Sequence, residues 1–487
     1  MKYSLFKSII LSSALVFSMT SCDLDQLPND SITTTIAWQK VDDAVKFRNG
    51  IYSLFKDVNG GLYTYTSDFQ SDLFNATISY SNRGGDMHRW DFTAAQYDIE
   101  KIWKGNYGVI NNCNNIICNI DVIQPEKDGD AALLNNIKGE AYLMRAICYH
   151  TLALRFAKDF EPGTAASEKG LPLVLNVDAL NKPSRSSLDE TYEQIKQDIK
   201  NARSLLTVVG EPNATYFTKD VLDLFEARVN LYMHNYAEAV KLTSGLLTKY
   251  SLAKDVKELG KMWLNDEGSE IVYRVFQSVD ERVNDMTAYL YFNTGTKSFS
   301  PDFVPSQWVL DLYEDSDIRK QVYFMNKKTT CMDVEKENIH MLNKFPGNPA
   351  LQKKEYEYFN MPKIFRAAEA YLIAAEASFL SGNEPAAASF LNQLRTKRGA
   401  SAVNAAGDAL LKEIKNEWVR EFIGEGQRLN DLKRWHDGMQ RHSPQDQDVL
   451  MKGEGFISLS KEASDIRFVW EIPNNDLNAN SNLEGNW

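Results

Sequence analysis

Two stretches of this chain gather aromatic rings and planar polar groups outside any helical pattern. Residues 63–92, YTYTSDFQSDLFNATISYSNRGGDMHRWDF, carry Tyr80, Asn82, Arg83, His88 and Trp90. Residues 284–299, NDMTAYLYFNTGTKSF, carry Tyr289, Tyr291, Phe292 and Asn293. The chemistry such a set performs is sugar binding. Pyranose rings offer flat patches of C–H groups that stack on aromatic faces, while their hydroxyls need amide, carboxylate or guanidinium partners. Trp90 and Tyr291 are the expected stacking platforms, with Arg83 and Asn82 as hydroxyl partners. Tyr80, Tyr289 and Asn293 complete the expected ligand-binding set. Asp68 and Asp72 in the same region read as turn caps.

Other chemistries find little support. The chain has no G-x-S-x-G elbow, no H-E-x-x-H pair and no phosphate loop. Its six histidines (88, 150, 234, 340, 436 and 442) show no metal-ligand spacing, and neither a metal nor another cofactor is expected. A glycosidase needs only two facing carboxylates, so counting acids cannot dismiss one. The net charge of −12 repels phosphate backbones and argues against nucleic acid as a ligand. Cys113, Cys118, Cys148 and Cys331 read as buried thiols. The cluster Glu417, Arg420, Glu421, Glu425, Arg428, Asp431 and Arg434 resembles catalytic machinery in composition. Its i,i+3 and i,i+4 spacing instead predicts ion pairs at a packed helix junction. Gly424-Glu425-Gly426 reads as a turn.

The elements that must position the loops are helices. Residues 362–436 give three helical phrases in a row. The first places Ala367, Ala368, Ala370, Ala374, Ala375 and Ala377 on successive turns, which lets partner helices approach closely. Ser381-Gly382-Asn383 is a stop signal, and Glu384-Pro385 suits the first turn of the next helix. Residues 218–249 repeat the phrase around a His234-Asn235-Tyr236 turn, with Thr218 as N-cap. A third pair falls at 137–160 and 186–206, where Ser187 and Glu190 form a capping box. The prediction is a mainly α fold of tetratricopeptide-like helical hairpins in one body with long irregular excursions. Trp103, Tyr107, Trp418, Trp435 and Trp470 belong to its core, while Trp308 suits either core or ligand.

The order and spacing of several phrases resemble the SusD/RagB family, surface lipoproteins of Bacteroidetes that bind nutrients beside a TonB-dependent transporter. These are DDAVKFRNGIYSLF (42–55), IWKGNYGVINNCNNII (102–117), GEAYLMRAICYHTLALRF (139–156), GLPLVL (170–175), VPSQWVLDLYEDSDIRK (304–320), the 362–436 block and the Asn-rich ending WEIPNNDLNANSNLEGNW (470–487). The resemblance implies a non-catalytic protein that captures an oligosaccharide and passes it to a barrel similar to SusC. The RagB side of the family implies the same lid mechanism with a peptide ligand. A lipid-anchored glycosidase is the alternative from another class.

The N-terminus fits that address. Lys2 and Lys7 precede an apolar run too short to span a bilayer, followed by small residues and Cys22. MTSC (19–22) resembles a lipobox. Residues 1–21 are the expected lipoprotein signal peptide, Cys22 the acylated residue, and 22–35 a tether. Residues 36–487 are expected to form a single domain anchored at the outer membrane and exposed on the cell surface.

Overall fold

The computed structural model describes residues 37–487 apart from 179 and 284. The leader, Cys22 and the whole of the tether lie outside the described residues. The principal helices before the strand-rich middle are α1 (Val41–Asp57), α2 (Leu62–Gln70), α3 (Tyr97–Asn119), α4 (Asp130–Phe156), α5 (Leu188–Leu205), α6 (Lys219–Tyr232), α7 (Tyr236–Lys249) and α8 (Val256–Leu264). After it come α9 (Ala367–Leu380), α10 (Glu384–Lys397), α11 (Gly407–Phe422) and α12 (Arg428–Arg434).

Local signals place these helices where the sequence predicts them. Ser187 Oγ accepts the Glu190 amide at 3.1 Å while Glu190 Oε2 accepts the Ser187 amide at 2.8 Å, closing the capping box of α5. Thr218 caps α6 through the Val221 amide. α9 stops before Gly382, whose φ of 83° is costly for any residue with a Cβ, and Asn383 caps α10. The six named alanines of α9 are all fully buried. Their small side chains let α6, α7, α10 and α11 pack against it.

Buried apolar side chains form two clusters. The larger fills the helical body. The smaller, with Phe69, Phe74, Tyr289 and Phe303, lies under the strand-rich region. α11 is the seam: Trp418 and Phe422 join the larger cluster, while Val419 and the C-cap residue Ile423 join the smaller. Its charged residues are buried between them. Glu421 accepts from Arg366 at 2.7 Å, Arg398 at 2.9 Å and Arg319 at 3.1 Å. Glu417 accepts from Arg420 at 2.8 Å and Arg395 at 2.9 Å and is ion-paired with Arg319 at 2.7 Å. Arg434 pairs with Asp431 and Glu376. The predicted ion-pair junction is present, and single carboxylates there serve several guanidiniums.

In the helical body the structure departs from the sequence reading in three places. Residues 63–70 belong to α2 rather than to a loop, because the helix buries Thr66 to Gln70 between the clusters. Tertiary packing overrides the weak helix propensity of this Thr- and Tyr-rich run. Cys118 is exposed, since its position on α3 turns it away from the face that buries Cys113. Trp435 is only partly buried, its Nε1 donating to Glu376 Oε1 at 2.7 Å.

Candidate functional site

The two loop stretches meet. β1 (Phe74–Ala76) pairs antiparallel with β4 (Phe303–Pro305), Asn75 opposite Val304. Beside this pair, β2 (Phe292–Asn293), β3 (Ser298–Phe299), β5 (Phe324–Cys331) and β6 (Val334–Leu342) form one sheet in that order. The β5–β6 turn is latched to the first stretch: the Met332 amide donates to Ser79 Oγ at 2.8 Å. Arg83 Nη1 donates to Thr287 Oγ1 at 3.0 Å, tying the first stretch to the second.

Between them lies an open cleft of about 360 Å³. Ser79, Ser81 and Arg83 come from the first stretch, and Thr287, Tyr291, Asn293 and Thr296 from the second. Ser300, Asp302, Thr330 and Met332 complete the wall. Six hydroxyl side chains, one guanidinium, one amide and one exposed ring make a lining suited to a polyhydroxylated ligand. Tyr291 is 49% exposed. Asp302 is the one carboxylate of the lining, 3.6 Å from Arg83 Nε. Desolvation raises its carboxyl above the usual range, partly opposed by Arg83. The paired carboxylates that glycoside hydrolysis requires are not present in this lining.

Of the seven residues expected to bind ligand, Arg83, Tyr291 and Asn293 line the cleft. Asn293 Oδ1 is engaged by the Gly295 amide at 2.9 Å, so its side chain also shapes the β2–β3 turn. Tyr80 and Asn82 stand beside the cleft in a small network. Tyr80 Oη donates to Asn82 Oδ1 at 2.9 Å and accepts from Arg89 at 2.6 Å. Trp90 and Tyr289 are corrections. Trp90 is 2% exposed, with Nε1 donating to Gln70 O at 2.7 Å and its ring against Phe468. Tyr289 is fully buried against Phe69 and Phe74. Neither ring has a free face to offer. Trp308 donates to Asp72 O at 3.0 Å and packs on His442, which ties it to the scaffold. Asp72 pairs with Arg428 instead of capping a turn.

Sequence reasoning missed Ser79, Thr330 and Met332, which reach the cleft only through the sheet. It also missed Tyr356, whose half-exposed ring stacks on Phe292 at 3.9 Å and 13°. Tyr356 has a φ of 61°, unusual for a bulky residue. A smaller cavity of about 130 Å³, with Gly426 in its wall, lies within the scaffold. Among its charged residues Arg228 pairs with Glu369, Lys363 with Asp266, and Glu425 with Arg366 and Lys344, while Arg155 donates to the carbonyls of Thr151 and Tyr63.

A mainly helical scaffold carrying a strand-rich region of this arrangement is the architecture of the SusD superfamily. The structure superposes on a SusD superfamily protein from Bacteroides thetaiotaomicron with a TM-score of 0.78, 24% identity and coverage of 92% of this chain and all of that one. At that identity the likeness speaks for the fold. The chain belongs to the SusD family: the SusD family model matches residues 228–487, and a second, described as starch-binding associating with outer membrane, matches residues 24–231. SusD-like protein P38 of Formosa agariphila is 25% identical, the match covering 90% of this chain and 93% of the relative. Starch-binding protein SusD of B. thetaiotaomicron is 36% identical over 123 residues, 25% of this chain and 20% of that protein.

Proposed function

We propose that the protein is a surface-exposed glycan-binding lipoprotein, acylated at Cys22. It captures an oligosaccharide in the cleft between residues 63–92 and 284–299. It then delivers the sugar to a SusC-like TonB-dependent transporter, acting as a tethered lid over the barrel mouth. The observation that carries this reading is the lining itself: one half-exposed tyrosine, Tyr291, among hydroxyls, an amide and the Arg83 guanidinium. Membership of the SusD family and the starch-binding description of relatives support the ligand class. Among the described residues no helix is long and apolar enough to cross a membrane.

The test is a glycan panel probed with the purified mature protein and its Tyr291→Ala variant. Binding by the wild type that the variant loses supports the reading. A protein that binds peptides and no glycan overturns it. Metabolic labelling with a radioactive fatty acid, lost in Cys22→Ala, tests the anchor separately.

A further inference from the structure

A second cleft of about 190 Å³, sharing no lining residue with the first, lies where three helix ends converge. Asp159 and Glu161 follow α4, His234 sits in the α6–α7 turn, and His436 follows α12. One ligand atom from each of Asp159, Glu161 and His436 lies within 4.8 Å of the other two. His436 Nε2 is 2.9 Å from Glu161 Oε1 and 3.3 Å from Asp159 Oδ2. Metal–donor bonds of about 2.0–2.2 Å, at tetrahedral or octahedral angles, place neighbouring donor atoms about 3–3.5 Å apart.

Hydrogen bonding leaves this group incomplete. Nε2 carries at most one proton, and Glu161 Oε1 takes it. Asp159 Oδ2 is enclosed and has no hydrogen bond. Nearby cations are committed elsewhere: Lys433 donates to the carbonyls of Leu154 and Ala157, and Lys415 pairs with Asp437 at 2.8 Å. The carboxylates of Glu161 and Asp159 raise the His436 imidazole above its ordinary range, so two acidic donors and one basic nitrogen converge at one point.

The backbone adds an independent oddity. After α12, the His436 amide bonds Lys433 O and the Asp437 amide bonds Leu432 O. After α6, the His234 amide bonds Leu231 O and the Asn235 amide bonds Asn230 O. Both are Schellman endings, with φ of 53° and 61° at histidines where glycine is the low-strain residue. Both imidazoles stand near Glu161. His234 Nδ1 is 3.9 Å from Glu161 Oε2, beyond a direct hydrogen bond but on the far side of that carboxylate from His436 Nε2, which bonds Oε1.

We propose that Asp159, Glu161 and His436 bind a divalent ion of the Zn²⁺ class, with His234 as a positioning residue. One imidazole among carboxylates favours such ions over Ca²⁺ and Mg²⁺, which prefer oxygen alone. His436 is 60% exposed on its side chain, so solvent fills the remaining positions. The ion would clamp the ends of α4 and α12, more than 270 residues apart.

The experiment is Zn²⁺ titration of chelator-treated full-length mature protein, followed by calorimetry and by competition with a chromogenic chelator. One Zn²⁺ per chain is expected, with a rise in Tm. His436→Gly, which suits the left-handed position and keeps the fold, weakens binding at least tenfold and abolishes the Tm rise. Glu161→Gln does the same, whereas His340→Ala leaves both unchanged. Absence of stoichiometric uptake by the wild type overturns the site. So does affinity unchanged in both variants, or lost equally in His340→Ala.

Discussion

Arg428 grips Asp72 through two parallel hydrogen bonds, Nε to Oδ1 at 2.8 Å and Nη2 to Oδ2 at 2.7 Å, across 356 positions of sequence. The pair joins the helical scaffold to the segment that carries one wall of the cleft. Desolvation alone would raise the Asp72 carboxyl, but the Arg428 guanidinium outweighs it and holds the group below its ordinary range. Arg428→Ala strands a buried carboxylate and should cost about 3–5 kcal/mol, read from urea unfolding. Ligand binding lost with an unchanged Tm would show instead that Arg428 serves the ligand.

Glu421 gives the fold a definite response to acid. Burial works to raise its carboxyl, yet Arg398, Arg366 and Arg319 together hold it well below the usual value of 4.5. A depressed carboxyl contributes stability that is complete above about 4.5 and is lost as pH falls below it. The wild-type Tm should therefore drop steeply on acidification below that value. Glu421→Gln should be less stable at neutral pH and should show a shallower acid slope.

Asp68 works in the opposite sense. Desolvation pushes its carboxyl up to about 8, despite the Gly426 amide at 3.1 Å and Tyr289 Oη at 3.5 Å. Its Oδ1 has no hydrogen-bond partner. A raised carboxyl favours the fold while protonated, so its contribution is lost as pH climbs from about 4 through 8. Asp68→Asn should gain Tm relative to the wild type as pH rises from 5 to 9. A difference that does not change with pH would contradict a neutral Asp68.

Trp90 and Tyr291 should separate stability from binding. Trp90→Phe removes the 2.7 Å bond to Gln70 O and part of a buried ring, costing about 1–3 kcal/mol in unfolding experiments. Its ligand affinity should stay intact. Tyr291→Ala, at a half-exposed position, should shift stability by no more than about 0.5 kcal/mol. It should weaken glycan binding about tenfold, measured by isothermal titration, as loss of a stacking face predicts.

The helical body was legible because its signals are local. The capping box at Ser187, the Thr218 cap, the stop at Gly382 and the alanine face of α9 each act within a few residues, and the i,i+3 and i,i+4 charges announced a junction. Family phrases are likewise runs of neighbouring residues. The segments forming the cleft were also legible, since turn formers and aromatics cluster at 63–92 and 284–299.

Which side chains face solvent was decided only in three dimensions. Trp90 and Tyr291 are equally plausible platforms on paper, but one meets Phe468 and the other meets water. Ser79 and Thr330 reach one cleft wall through a sheet whose pairing no short-range pattern encodes. The same holds for Asp159, Glu161 and His436, brought together from distant helix ends. Short-range signals in the sequence thus determined the helices and the family. Long-range packing, which sets exposure and the meeting of distant side chains, determined the chemistry each site can offer.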